Sequence, residues 1–240
     1  MTAINNKAIV LAAFKHLIGE RNPDVIDTYL HDSYIQHSPM VKDGKAGLLE
    51  ALQHLQKMPP PPANSPSPVV RTIADGDYVM VHMDVAFMGK KMAIVDLYRL
   101  GEGKLAEHWD ATQEQPVYAP GDVTMTGGTT IISDLGKTVE NKTQVADFFR
   151  HPGASFLSPD YLTHDPLQFR LDKQLAEQGP MTVHRIIGEG DFVLVQSSGE
   201  RGGIPAVFYD ICRMKNNLLA EHWRVMQVIP AVLPHLNGMI

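Results

Sequence analysis

Apolar residues recur at helical spacing early in the chain and in short strand-like runs later. Val10, Phe14, Leu17 and Ile18 form one stripe, the three-to-four-residue repeat of an amphipathic helix. Asn5 and Asn6 precede it as candidate caps. Pro23 suits the first turn of a short second helix. Leu48, Leu52 and Leu55 mark a third, beginning near Asp43 and Gly44. After a proline-rich stretch, residues 58–68, the period changes. Residues 69–74 and 78–85 read as strands around a tight turn at Asp75-Gly76. Residues 92–100 and 105–113 read as a second hairpin. Helices first and strands after them predict an α+β fold, with helices packed on one face of a curved antiparallel sheet.

The pattern then repeats. Leu105-Ala106-Glu107-His108-Trp109-Asp110 returns as Leu219-Ala220-Glu221-His222-Trp223-Arg224, a shift of 114. The same shift carries Asp96-Leu97-Tyr98-Arg99 onto Asp210-Ile211-Cys212-Arg213. It also carries Ile73-Ala74-Asp75-Gly76-Asp77 onto Ile187-Gly188-Glu189-Gly190-Asp191, and Pro116 and Pro120 onto Pro230 and Pro234. Upstream the shift grows: Tyr34-Ile35-Gln36-His37-Ser38-Pro39 matches Tyr161-Leu162-Thr163-His164-Asp165-Pro166, and Asn6-Lys7 matches Asn141-Lys142. Four segments in register argue for two tandem copies of one domain. We divide the chain into a first copy, residues 1–118, a linker, 119–140, and a shortened second copy, 141–240.

Register decides which side chains share a face. The second hairpin turns at Gly101-Glu102-Gly103 and its counterpart at Lys215-Asn216-Asn217. A three-residue loop ending in a residue suited to positive φ would set Asp96 opposite His108. Asp96, Tyr98, His108 and Asp110 then share one face, and Leu97, Glu107 and Trp109 the other. A two-residue loop would slip the register and put Asp96 beside Trp109. The first register gathers two carboxylates, an imidazole and a phenol beside the helices, as a lined cavity would need.

Composition narrows the function. Hydrophobic residues make up 44% and charged residues 20%, enough apolar surface for a real core. The net charge is −6 with no block of Lys or Arg, which argues against nucleic-acid or membrane-surface binding. No apolar run approaches the ~20 residues that span a bilayer. The single cysteine, Cys212, excludes a disulfide within the chain, and a cytoplasmic location fits. No histidine pair has metal-ligand spacing and no glycine-rich phosphate loop occurs, so neither metal nor cofactor is expected.

The order helix, helix, Tyr34-Ile35-Gln36-His37-Ser38-Pro39, helix, hairpin, Asp96-Leu97-Tyr98-Arg99, Glu107-His108-Trp109-Asp110 resembles the SnoaL-like branch of the nuclear transport factor 2-like superfamily. The resemblance covers residues 6–116 well and residues 141–230 in shortened form. It implies two tandem cone-shaped domains, each with a curved sheet around a pocket, and cofactor-free acid–base chemistry next to a carbonyl. Ketosteroid isomerase shares this fold. By that likeness His37 stands where the general base would be and Asp96 where a neutral aspartate would steady the enolate oxygen. The catalytic candidates are therefore His37, Asp96, His108 and Asp110, with Tyr34, His82 and Tyr98 lining the substrate site.

Structural roles compete with these. His37 would serve equally as a helix cap or a core hydrogen-bonding group. Asp96 and Arg99 would serve as a structural pair, since both return in the second copy. Copy two replaces Asp110 by Arg224 and His82 by Gln196. Its pocket is expected to be smaller and less polar, and copy two to act as a built-in partner for copy one. Three readings follow: an aldol-cyclase or isomerase-like enzyme acting on a small carbonyl compound, a non-catalytic small-molecule binder, or a structural pseudo-dimer whose pockets are vestigial; a homo-oligomer is compatible with each.

Overall fold

The computed structural model describes residues 3–60, 65–117, 123–165, 170–177 and 179–240. Pro120 and Pro166, both part of the repeat, lie outside the described residues. The first unit opens with α1 (Ala3–Ala13), which continues through wider π-helical turns over Phe14–Gly19. A short α2 (Ile26–Tyr29) leads into β1 (Leu30–Gln36), and α3 spans Gly44–Lys57. Four strands follow: β2 (Val69–Asp75), β3 (Tyr78–Phe87), β4 (Lys90–Gly101) and β5 (Lys104–Glu114). The second unit repeats the order with α4 (Thr138–Arg150), β6 (Leu157–Thr163), α5 (Leu171–Glu177), β7 (Thr182–Glu189), β8 (Phe192–Arg201), β9 (Ile204–Lys215) and β10 (Leu218–Val228). Asn6 lies inside α1 rather than capping it, and its amide donates to the Gly76 carbonyl at 2.9 Å.

Both sheets have five strands and one topology. Their orders are β1-β5-β4-β3-β2 and β6-β10-β9-β8-β7. The antiparallel expectation is corrected at one edge of each, where β1 lies parallel to β5 and β6 parallel to β10. β1 is joined to β5 not by a tight turn but through α3 and strands β2–β4, a connection long enough to permit parallel pairing. The first-hairpin turns hold Gly76 and Gly190 at positive φ, where a side chain would be strained.

The β4–β5 hairpin corrects the expected loop and keeps the expected faces. Gly101 pairs with Lys104, so the loop has two residues, Glu102 and Gly103, both at positive φ. Their signs fit a type I′ turn. A bulge at Ala106 then adds one residue, and Arg99 pairs with Glu107, Tyr98 with His108, Leu97 with Trp109 and Asp96 with Asp110. The short loop and the bulge each move the register by one residue in the same sense, so the faces are restored but the expected Asp96–His108 pairing is corrected to Asp96–Asp110. The second unit does the same around Asn216, Asn217 and Ala220.

Each sheet is buried on both sides. One face meets its own helices: Val10, Leu17, Leu52, Val79, Val81 and Leu100 cluster in the first unit, and Val145, Phe148, Leu171, Val193 and Cys212 in the second. The other faces meet each other. Leu97, Trp109 and Val95 pack with Tyr209, Ile211 and Trp223 in one core.

Hydrogen bonds across this seam come in matched pairs. Glu189 accepts from the Ala74 N–H at 2.7 Å, and Asp75, its counterpart, from the Gly188 N–H at 3.0 Å. Gln113 accepts from the Met226 N–H and Gln227 from the Thr112 N–H, both at 2.9 Å. Lys7 pairs with Glu189, and Lys142 with Asp75. Arg185 lies 3.9 Å over the Trp109 ring and Arg71 lies 4.2 Å over the Trp223 ring. The same surface serves both sides, as in an isologous dimer.

Candidate active site

Between helices and sheet in the first unit, four polar side chains converge. β4 presents Asp96 and Tyr98, and β5 presents His108 and Asp110 directly opposite them. The Tyr98 hydroxyl donates to Asp96 Oδ2 at 3.0 Å, and the Tyr98 ring stacks on His108 at 4.6 Å. His108 Nε2 lies 3.4 Å from Asp96 Oδ1, within ion-pair reach but not aligned as a hydrogen bond.

Gln36 fixes the state of that imidazole. Its Oε1 accepts from the backbone N–H groups of His37 and Ser38, both at 3.0 Å. The oxygen is thereby identified as an acceptor, so His108 Nδ1, 2.9 Å away, carries the hydrogen. Nε2 is left as the atom that gains or loses a proton. Burial lowers the affinity of His108 for that proton, but the nearby Asp96 carboxylate outweighs it, and the imidazole titrates above its ordinary range. The Gln36 amide donates to the Tyr34 hydroxyl at 3.2 Å. Burial pushes the Tyr34 and Tyr98 phenols up.

Asp110 is the least satisfied member. Ser38 gives its carboxyl a hydrogen bond, while its Oδ1 is buried without a partner. Burial, with the facing charge of Asp96, pushes Asp110 up to about 6 against the pull of His108, Ser38 and His235. Two carboxylates directly opposite each other on adjacent strands repel.

Tyr34, Asp96, Tyr98, His108 and Asp110 are thus brought together. His37 and His82 are not, and the proposed base role of His37 is corrected. β1 places Gln36 beside His108, so His37 turns to the other face. There it stacks on Trp109 at 4.9 Å, bonds Glu107 at 3.0 Å and meets the Gly238 carbonyl at 3.1 Å. Arg99 also faces that side and donates to Glu107 rather than pairing with Asp96. His82 belongs to the seam, where its Nδ1 meets Arg71 Nη1 at 2.6 Å. Gln36 and Ser38 are the site residues that the sequence reading missed. The two-residue step from Tyr34 to Gln36 would have shown the shared face, had residues 30–36 been read as a strand.

The second unit builds the same frame and closes it. Asp210 is fully buried and meets His222 at 2.7 Å and Arg224 at 2.7 and 3.0 Å. Arg224 also donates to Gln174 at 2.9 Å and lies over Phe208. Burial raises the Asp210 carboxyl, but Arg224 and His222 together hold it below its usual range. The cation standing in place of Asp110 neutralises the cluster from within. On the other face the first unit's pattern recurs: His164 stacks on Trp223 at 4.7 Å and faces Glu221, which takes a hydrogen bond from Arg213.

A surface groove of about 450 Å³ opens at the seam, lined by residues including Lys7, Thr72, Ile132, Leu135 and Glu189. None of the candidate site residues lines it. Among the described residues no three His, Cys, Asp or Glu side chains cluster to hold a metal.

The family model of the SnoaL-like domain matches residues 10–108, from α1 through the site histidine of β5. Residues 10–108 are a SnoaL-like domain. The chain is similar to several solved structures, each of which aligns with half of it or less. A provisionally assigned polyketide cyclase from Acidithiobacillus ferrooxidans is 22% identical over 45% of this chain and 88% of its own, with a TM-score of 0.38. A provisionally assigned ketosteroid isomerase from Kribbella flavida is 17% identical over 50% of this chain and 85% of its own, with a TM-score of 0.38. An NTF-2 like protein of unknown function from Burkholderia xenovorans is 19% identical over 49% of this chain and 88% of its own, with a TM-score of 0.39. No curated protein matches the chain.

Proposed function

We propose that the SnoaL-like unit binds a small carbonyl compound and moves a proton at the carbon beside the carbonyl, as an aldol-cyclase or isomerase does. The observation that carries this reading is Asp110, whose buried, unpaired Oδ1 belongs to a carboxyl titrating at about 6. Such a group is mostly ionised at neutral pH yet basic enough to take a proton from carbon. His108 is its complement. Charged by Asp96 and not aligned on it, the imidazolium offers a hydrogen bond to the enolate oxygen. Asp96 holds His108 charged, and Tyr98 holds Asp96. In this scheme His37 and His82 are structural, and no cofactor takes part.

The domain division at residues 118 and 141 belongs to the same proposal, with the second unit as an intrachain partner rather than a second active site. The buried free thiol of Cys212 is compatible with a reducing cytoplasm.

A scaffold reading has one observation of its own: Gln36, Tyr98, Asp96 and His108 already bond one another. Exchange of α-hydrogen for deuterium in a cyclic ketone, followed by proton NMR in D₂O, separates the two. The enzyme reading expects exchange faster than buffer alone, slowed at least ~100-fold over the protein's contribution by Asp110→Asn and by His108→Gln. A rate that neither variant changes leaves the scaffold or simple binder.

A further inference from the structure

Three successive residues at the end of β1 carry the site. Gln36 fixes His108 Nδ1, Ser38 bonds Asp110, and His37 between them anchors the strand end to Trp109 and Glu107. Each of the three is held by a residue some two hundred positions away. The Asn237 amide donates to the Gln36 carbonyl at 3.0 Å. His235 Nε2 donates to the Ser38 carbonyl at 2.8 Å. The Gly238 carbonyl meets His37 Nδ1 at 3.1 Å. The intervening Leu236 is fully exposed while His235 is 9% exposed, so alternate residues of this segment face the SnoaL-like unit.

We propose that residues 235–238, supplied by the second unit, form a clamp in which Asn237 and His235 are positioning residues for His108 and Asp110. The inference rests on the reading that His108 and Asp110 do the chemistry.

The leverage is short. Asn237 touches the Gln36 backbone, and Gln36 Oε1 touches His108. Asn237 also bonds Asp43, whose Oδ1 accepts from the Gln36 N–H at 3.0 Å. The strand end is therefore gripped at both its N–H and its carbonyl. His235 acts on Asp110 by two routes. It holds the Ser38 backbone, and its ring lies close enough for its charge to affect the carboxyl. Because a carbonyl can only accept, His235 Nε2 carries a hydrogen, and Nδ1 is buried without a partner. The groups that face the titrating pair are then Asp96, Tyr98 and Ser38 from the first unit, Tyr34 through Gln36, and His235 from the clamp.

The second unit is held differently. Thr124 offers its carbonyl to His164 Nδ1 at 3.0 Å, as Gly238 does to His37. Ser38 is replaced there by Asp165 and Gln36 by Thr163. The clamp's two side-chain contacts thus serve the unit whose Asp110 keeps one carboxyl oxygen without a partner.

The test reads protonation in the full-length chain and needs no substrate. Long-range ¹H–¹⁵N spectra report which nitrogen of His108 carries the hydrogen, and side-chain ¹³C shifts report the Asp110 midpoint. Asn237→Ala is expected to blur the Nδ1–H tautomer of His108, and His235→Ala to move the Asp110 midpoint by at least ~0.5 pH unit. His235→Gln restores a donor to the Ser38 carbonyl without the imidazole, so it should restore part of the shift. Leu236→Ala, at the exposed position between them, should change neither signal. If the folded Asn237 and His235 variants keep the wild-type tautomer and midpoint, or if Leu236→Ala disturbs both equally, the clamp is overturned. Should Asn237→Ala fail to fold, the His235→Ala and His235→Gln pair decides by the Asp110 midpoint alone. Failure of ketone exchange would sink the proposed chemistry while leaving this result intact, and unmoved midpoints would sink the clamp while leaving the chemistry.

Discussion

A carboxyl that ionises near pH 6 in the folded state costs the protein stability in any more basic solution. Asp110 ionises at 3.8 in a model peptide and at about 6 here. Between those values the folded chain keeps a proton that the unfolded chain has lost. Stability therefore falls as pH rises through this window, and the loss is complete above it. Two pH units correspond to about 3 kcal/mol. Asp110 is only half-buried, and solvent screening brings the figure nearer to ~1–2 kcal/mol. Asp110→Asn should thus melt above wild type at pH 7.5 by more than it does at pH 4.5, as calorimetry at the two pH values would show. An equal gain at both would mean that Asp110 ionises normally. His37 belongs to a different class. Its substitution by Ala removes a ring stack and a buried hydrogen bond to Glu107, at a cost of about 2–3 kcal/mol. Denaturant titration should show that loss while ketone exchange by the surviving folded protein stays within about twofold. A large loss of exchange at unchanged stability would return His37 to the active site.

Hairpins set the faces, and their turns are open to direct test. Glu102-Gly103 and Asn216-Asn217 occupy equivalent positions, all at positive φ. Gly suits the second position of a type I′ turn better than Asn does. Asn217→Gly should raise stability by about 0.5 kcal/mol, visible as a higher melting temperature, and a drop would mean that the Asn217 side chain has a role of its own. These same elements explain what could be read beforehand. Strands β2–β4 were legible to within a few residues because Val, Ile and Tyr concentrate there between turn residues, and β5 because it follows β4 across a turn and returns in the repeat. The face shared by Asp96, Tyr98, His108 and Asp110 was legible too, although the loop length behind it was not. A bulge at Ala106 has no sequence signature of its own, and its one-residue step adds to that of the shorter turn, which restores the faces but changes the cross-strand partners. β1 was not legible: in Leu30-His31-Asp32-Ser33-Tyr34 only the ends are buried, which no period-two template matches. From that one gap came the displaced base, since His37 and Gln36 exchange faces once the strand is seen.

At the level of the whole molecule, the seam is the larger part of what each sheet buries on its far side. Trp109, Leu97 and Val95 are all fully buried, packed with Ile211, Tyr209 and Trp223 of the other unit. Residues 1–118 expressed alone would expose that face, and a patch of this kind drives association. We expect that fragment to self-associate through the vacated surface, with mass by light scattering rising with concentration. A stable monomer would show that the seam is dispensable to the fold. The repeat made the two-unit arrangement legible from the sequence. The reciprocal pairs across the seam were not legible, because Asp75 with Gly188 and Glu189 with Ala74 connect positions that no local pattern relates.

Covalent linkage of the two sides has a consequence for what the chain can tolerate. In an assembly of identical subunits every substitution is written twice, once on each side of the axis. A carboxyl such as Asp110 would then impose its burden at both sites, and an arginine such as Arg224 would fill both. Here each half is free to take a different residue. One side holds an acid with one unpartnered oxygen, at the position proposed for proton transfer and at a cost in stability. The other holds an Asp210–His222–Arg224 cluster whose charges satisfy one another. Reactivity and ruggedness, which compete within a single site, are thereby assigned to separate halves of one molecule.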